Sequence, residues 1–421
     1  MYAVGIDVSK GKSTVSVFDQ RKEMVVKPFD IPHTLTGLAA LSELVKAQPG
    51  EVKVVMECTS RYHEPVANYL QQAGHFVSTL NPLAIRNAGN GVGVHEIKTD
   101  KTDSKKAAKF GIDNWYQLRE YRPMETTRYQ LKVMNQQFDL YTRQQTAQKN
   151  NVIALLDMTF PGINKLFDSP TREDGSQKWV DFAVTFWHVD CVRSLSEKKF
   201  AERYAAFCKK HRYNFSSAKA AEIYAFAADL FPLTPKDEFT KFMMKEAISH
   251  LQATAKVVET LRSEMNRLAS QLPEYPVVMA MRGVGESLGP QLMAEIGDPR
   301  RFAKKKSLVA FAGIDPGKKQ SSEKDSKSVK TSKKGNPLLR KALFNVMSAL
   351  LMHPSEDPVY LFLDKKRAEG KDYYVYMTAG ANKFLRVYYG RVREYLTEQG
   401  VPLPAEALVP DDADSAIPEV D

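Results

Sequence analysis

Cysteine is scarce in this chain. Three in 421 residues (Cys58, Cys191 and Cys208) make no disulfide framework, which points to a reducing compartment and a cytoplasmic protein. No uncharged apolar run reaches the roughly 18 residues that a membrane span needs, so no membrane partner is expected. The opening MYAVGIDVSK carries Asp7 where a secretory leader would be apolar. The low hydrophobicity of disordered chains is missing as well. With 43% hydrophobic and 26% charged residues, most of the chain reads as soluble and globular. Its length suggests two to four domains at roughly 100–200 residues each.

Charge is present and concentrated. The chain has a formal net charge of +10, and residues 298–341 hold fourteen Lys and Arg against four acids (Asp298, Asp315, Glu323, Asp325). The whole net charge therefore lies in about a tenth of the length, a footprint expected of a polyanion partner such as nucleic acid. Gly, Ser and Gln interleave with the lysines, so backbone amides can also approach phosphates. A plain solvated lysine-rich loop is the alternative.

Along the chain, YAVGIDV, STVSVFD and EMVVKPFDI read as a meander of three strands. TLTGLAALSELVKA and HEPVANYLQQAG read as helices, KVVMECT and FVSTLN as further strands. Three antiparallel strands followed by alternating helix and strand is the element order of an RNase H-like sheet. NAGNGVGV (87–94) reads as a flexible connector, and a helix is expected to open near Asp100. Residues 122–157 and 236–272 read as long polar helices with narrow apolar stripes, bracketing short aromatic-rich helices at 176–232. Such a pair suggests a coiled-coil spacer or dimerisation arm. The expected organisation is α/β plus α: 1–120, a metal domain; 121–273, a helical spacer; 274–400, a mainly helical domain; and 401–421, a disordered acidic tail.

Four constellations could carry chemistry. Asp7 and Glu57 close apolar strands, while Asp100 and Asp103 open a helix on one face. Ala3 and Gly5 share the face of Asp7, and their small size leaves room for a bulky anion. Clustered carboxylates repel unless a hard cation holds them, and Mg²⁺ is the usual resolution. Asp100 taken alone reads as a helix N-cap. In the loop QSSEKDSKSVKTSKK a serine could attack phosphorus beside stabilising cations, with Ser321, Ser322, Ser326, Ser328 and Ser332 all open. MRGVGESLGPQLMAEIGDPRRF matches a helix–hairpin–helix whose turn, at Gly283 and Gly285, could meet a backbone phosphate. His188, Cys191, Cys208 and His211 spell H-x2-C…C-x2-H, a zinc spacing, but their aromatic and apolar surroundings favour a core.

Together GIDVSK, MECTS, KTDKTDSKKAAKF, SLVAFAGIDPGKKQSSEKDS and SKKGNPLLRKALF resemble the insertion sequence 110 family of DEDD transposases and recombinases. The resemblance covers about residues 1–400. It implies a RuvC-like N-terminal domain with Asp7, Glu57, Asp100 and Asp103 as Mg²⁺ ligands. It also implies a C-terminal transposase domain whose nucleophilic serine stands five residues after the Pro of AGIDP, at Ser321. Where the family usually has Gly next, this chain has Ser322. Target and donor DNA, a guiding bridge RNA in many members, and a homo-oligomer (dimer or tetramer) with a composite site between subunits are further implications. The nucleic-acid contacts expected are Gly283, Gly285, Arg300, Arg301, Lys304, Lys305, Lys306, Lys318, Lys319, Lys333 and Lys334. The alternatives are a RuvC-like metal nuclease that uses water, and a catalytically silent nucleic-acid-binding protein.

Overall fold

A computed structural model describes residues 1–58, 61–80, 99–315, 331 and 333–402. The described chain forms two compact units, 1–124 and 125–402.

The first unit is built on β1 (Tyr2–Ser9), β2 (Lys12–Asp19) and β3 (Met24–Pro32), an antiparallel meander. Then come α1 (Leu35–Lys46), β4 (Val52–Glu57), α2 (His63–Gln72), β5 (Phe76–Leu80) and α3 (Asp100–Asp113). The sheet order is β3-β2-β1-β4-β5, with β4 and β5 parallel to β1. One face carries Val4, Ile6, Val54, Met56 and Val77, packed with Leu41, Val66 and Leu70 of α1 and α2. The other face carries Ala3 and Phe18, which pack with Ala108 of α3 and with Trp115. That contact is close. A Cβ at Gly5 would stand 2.1 Å from the Ser104 carbonyl oxygen and 2.3 Å from the Ala108 nitrogen. The small residues of β1 therefore serve to admit the α3 backbone, and the room expected there for an anion is filled by the helix.

The second unit hangs on two long helices, α4 (Thr126–Thr159) and, after four shorter ones, α9 (Glu238–Ala269). Those four are α5 (Lys178–Thr185), α6 (Asp190–Arg193), α7 (Glu197–Lys210) and α8 (Ser217–Ala228). On α9 the buried Met244, Ile248, Leu251, Ala255, Val258 and Met265 follow the four-three spacing of a coiled-coil seam. On α4 no residue between Asp139 and Val152 is buried, whereas Leu251, Ala255 and Val258 stay buried along the middle of α9, where Gly175 packs against the Ala255 backbone. Each end has its own core. Val152, Leu156, Met244 and Ile248 join the aromatic helices α5–α8 at one end. Leu131, Phe138, Met265 and Leu268 join the C-terminal helices at the other. These helices are α10 (Tyr275–Met279), α11 (Leu288–Ile296), α12 (Lys305–Ala312), α13 (Pro337–Met352), α14 (Pro358–Ala368) and α15 (Tyr373–Glu398). No helix among the described residues is long and apolar enough to cross a membrane.

Candidate functional site

Strand register places two of the acids. β1 and β4 pair in parallel up to Ile6 opposite Met56, so Asp7 and Glu57 occupy the next level side by side. Alternation sends Ile6 and Met56 into the core and the two acids to the α3 face. α3 runs back along β1, with Ser104 and Ala108 over Gly5 and Gly111 against Ala3 and Val55. Its first turn, carrying Asp100 and Asp103, therefore starts toward the Asp7 end. Thr99, not Asp100, caps that helix: Thr99 and Thr102 form a reciprocal capping box. Asp100 occupies the first helical position instead, exposed, where a carboxylate favours the helix dipole.

All four acids thus belong to one end of the sheet, but they are not gathered. Among the described residues no three His, Cys, Asp or Glu side chains are placed to hold a metal ion. Asp103 has Lys106 at 3.8 Å. A cation also stands at this rim. Lys12 donates to Asp30 at 2.7 Å, and that bond holds the Lys12 ammonium above its usual range, with a smaller pull from Asp100.

The basic segment divides sharply. Arg300 is buried, its guanidinium forked onto Asp298 and donating to the Val401 and Pro402 carbonyls at 2.7 and 3.0 Å. It fastens the C-terminal end of the second unit and has no face left for a phosphate. Arg301 donates to the Ile296 carbonyl and lies over the rings of Phe302 and Phe311. Lys304, Lys305 and Lys306 are exposed at the start of α12, and Lys333 and Lys334 are exposed beyond it. The turn between α10 and α11 holds Gly283 at φ +78° with Leu350 beneath it, while Gly285 is exposed beside the acidic Glu286. α10 has a single short turn, so a paired-helix hairpin is not formed in full.

Residues 316–330 and Ser332 lie outside the described residues. With them go Lys318, Lys319 and all five candidate serines, Ser321 included; the glycine-rich connector and the acidic tail from 403 onward also lie outside, whereas Val401 and Pro402, expected in the disordered tail, are held by Arg300. What the structure does give is the base of the serine loop. Lys333 N–H donates to the Gly313 carbonyl (3.2 Å) and Asn336 N–H to the Phe311 carbonyl (2.8 Å). Arg340 Nη1 donates to the Ala312 and Gly335 carbonyls. A Cβ on Gly335 would stand 2.2 Å from the Phe311 oxygen, so only glycine lets the two strands of the loop touch. Asn336 caps α13 and also donates to the buried carboxylate of Glu295 (2.6 Å), which takes a second bond from Asn135 of α4 (2.7 Å). Sequence reasoning missed Glu295, Asn336 and Arg340. The Gly-Asn-Pro run at 335–337, a cap followed by proline at the first helical position, was the available signal.

The zinc spacing forms no site. His188 is fully buried; its Nε2–H donates to the Thr234 carbonyl and its Nδ1 accepts from Asp190 N–H, both at 3.0 Å. His211 lies against the rings of Phe207 and Tyr213.

Comparison with known proteins gives these features a context. A DEDD transposase model matches residues 4–161, the region of the acids. A model described as the transposase IS116/IS110/IS902 family matches residues 275–360, the region of the basic segment. A pilin gene-inverting protein of Moraxella bovis is 22% identical over 342 residues, 81% of this chain and 80% of its own length. Its Moraxella lacunata counterpart matches over the same shares. The mini-circle transposase assigned to IS117 in Streptomyces coelicolor is 22% identical over 326 residues, 74% of this chain and 75% of its own. With two models of one family matched in order over more than half of its length, this chain belongs to the IS110 family of DEDD transposases, enzymes that cleave and rejoin DNA.

Proposed function

We propose that the chain is a site-specific recombinase of an insertion sequence that exchanges strands through a covalent phosphoserine. The observation that carries the reading is the shared end of the sheet, where Asp7 and Glu57 stand side by side and α3 brings Asp100 and Asp103. On this reading the first unit is RNase H-like, in keeping with its strand order. Ser321 attacks a DNA phosphodiester. A P–O bond to serine forms as the bridging P–O bond to the departing strand breaks, and that strand's oxygen takes up a proton. Phosphodiester bonds are conserved in number, so the reverse attack by a new strand end rejoins DNA without ATP. The stitched base of the loop, from Gly313 to Asn336, holds the two ends of the serine segment together. The exposed lysines 304–306, 333 and 334 hold phosphates as point charges.

An all-carboxylate donor set fits a hard divalent cation, and Asp7, Glu57, Asp100 and Asp103 would hold Mg²⁺. When bound, such an ion supplies charge stabilisation at the phosphoryl oxygens. The DEDD family itself suggests dependence on a divalent metal. A guiding bridge RNA and assembly as a homo-oligomer complete the reading, and DNA inversion, the activity named for the Moraxella relatives, is a variant of the same exchange. The test is incubation of the purified chain with Mg²⁺ and its element-end DNA, followed by denaturation. A protein–DNA adduct that survives is expected. Cleavage without any adduct would indicate hydrolysis by water.

A further inference from the structure

Between α5, α6 and α7 and the approach to α9 lies a cavity of about 400 Å³ that the function above does not use. Arg203 and Lys210 reach it from one face of α7, Lys236 from the segment just before α9, and Thr185, Ser194 and Cys191 complete its polar wall. Among the described residues no acid lines it. Among them, too, none of these three cations makes an ion pair, whereas other arginines of the same region are engaged. Arg193 pairs with Asp190, and Arg172 donates to the His211 and Arg212 carbonyls while lying over Tyr213. Three cations around one hollow repel one another, and an anion between them removes that cost. Phe186 and Phe207, which floor the cavity, are buried at 2% and 4% exposure and offer no open ring on which a base could stack. The hydroxyls and cations, in contrast, are all exposed at the rim, where a chain could enter and leave.

We propose that this cavity binds phosphate groups in the backbone of a nucleic acid, at the end of the helix pair opposite the C-terminal core. The assignment rests on the reading of the chain as a nucleic-acid enzyme and adds a contact at the other end of the helix pair from the serine-loop base. At 1.5 Å per residue the 32 residues of α9 span about 48 Å. The site is therefore a second hold on a long substrate or guide, sequence-independent in its chemistry.

Cys191 lines the cavity and reports on it. The test is its alkylation rate by iodoacetamide in the full chain, read by peptide mass spectrometry. The probes are a 40-base-pair DNA duplex, an RNA hairpin of equal length, AMP and inorganic phosphate. Saturating DNA or RNA should slow alkylation of Cys191 about fivefold or more, and the polymer that does so names the occupant. Replacing Arg203→Ala, Lys210→Ala and Lys236→Ala together should flatten the dependence of log affinity on log salt by about two to three units. Arg203→Lys should keep its share. An unchanged Cys191 rate with both polymers overturns the proposal, as does equal protection by AMP or inorganic phosphate. A chain that forms the protein–DNA adduct but leaves Cys191 unprotected loses this assignment alone. One that protects Cys191 but forms no adduct loses the catalytic reading and keeps the cavity.

Discussion

The acid end of the sheet and the basic segment 298–341 carry opposite charge, and they answer to different rules. In the sheet, alternation along β1 and β4 fixes which face each carboxylate takes, and parallel pairing fixes its neighbour. In the basic segment, fourteen cations that composition treats alike go to unlike places. Arg300 is buried on Asp298, Arg340 ties the loop base, Lys341 pairs with Asp139 at 2.7 Å, and Lys304–Lys306 face solvent. Periodicity places a charge, whereas composition only counts it.

The largest effect that would sharpen the comparison is at Asp7. Asp7→Asn keeps the shape of β1 but removes the charge beside Glu57. Strand exchange should fall by about a thousandfold or more, with DNA affinity and melting temperature unchanged. A normal rate would show that the shared end of the sheet is structural. Next comes Arg300→Ala, which leaves Asp298 buried without its partner and should cost about 3 kcal/mol in denaturant unfolding. Its salt slope for DNA binding should not move. Neutralising Lys304, Lys305 and Lys306 should do the reverse, flattening that slope by about one unit for each phosphate no longer held, at constant stability. If Arg300→Ala altered the slope and the lysines did not, the roles of the buried and exposed cations would be inverted. The smallest effect is at the opening of α3. Thr99→Ala should cost about 1 kcal/mol through removal of the cap, while Asp100→Ala leaves the cap intact.

These contrasts also mark what the sequence made legible. The five strands, the faces of β1 and both long helices follow from periods of two and of three to four, which a sequence displays directly. Thr99 and Asp100 are both good cappers, and only the extended backbone of Thr99 assigns the cap of α3 to it and not to Asp100. Gly5 beside an acid read as space for a ligand because the helix that fills it lies about a hundred residues away. Glu295 with Asn135 and Asn336 was hidden for the same reason: partners 160 and 41 residues apart leave no local pattern. The two aromatic-rich pairs around Cys191 and Cys208 were rightly placed in a core, but the cation-lined cavity beside Cys191 joins three separate segments and could not be read in advance.

In the proposed transfer a serine of the basic segment carries the DNA while the acids of the sheet support the exchange. It is tested most directly by trapping the protein–DNA adduct and mapping the modified residue by mass spectrometry in Ser321→Ala and Ser322→Ala chains. The account predicts that the adduct maps to Ser321, disappears in Ser321→Ala and persists in Ser322→Ala. An adduct that survives both changes, or none in the unaltered chain while strands are still cut, would contradict it.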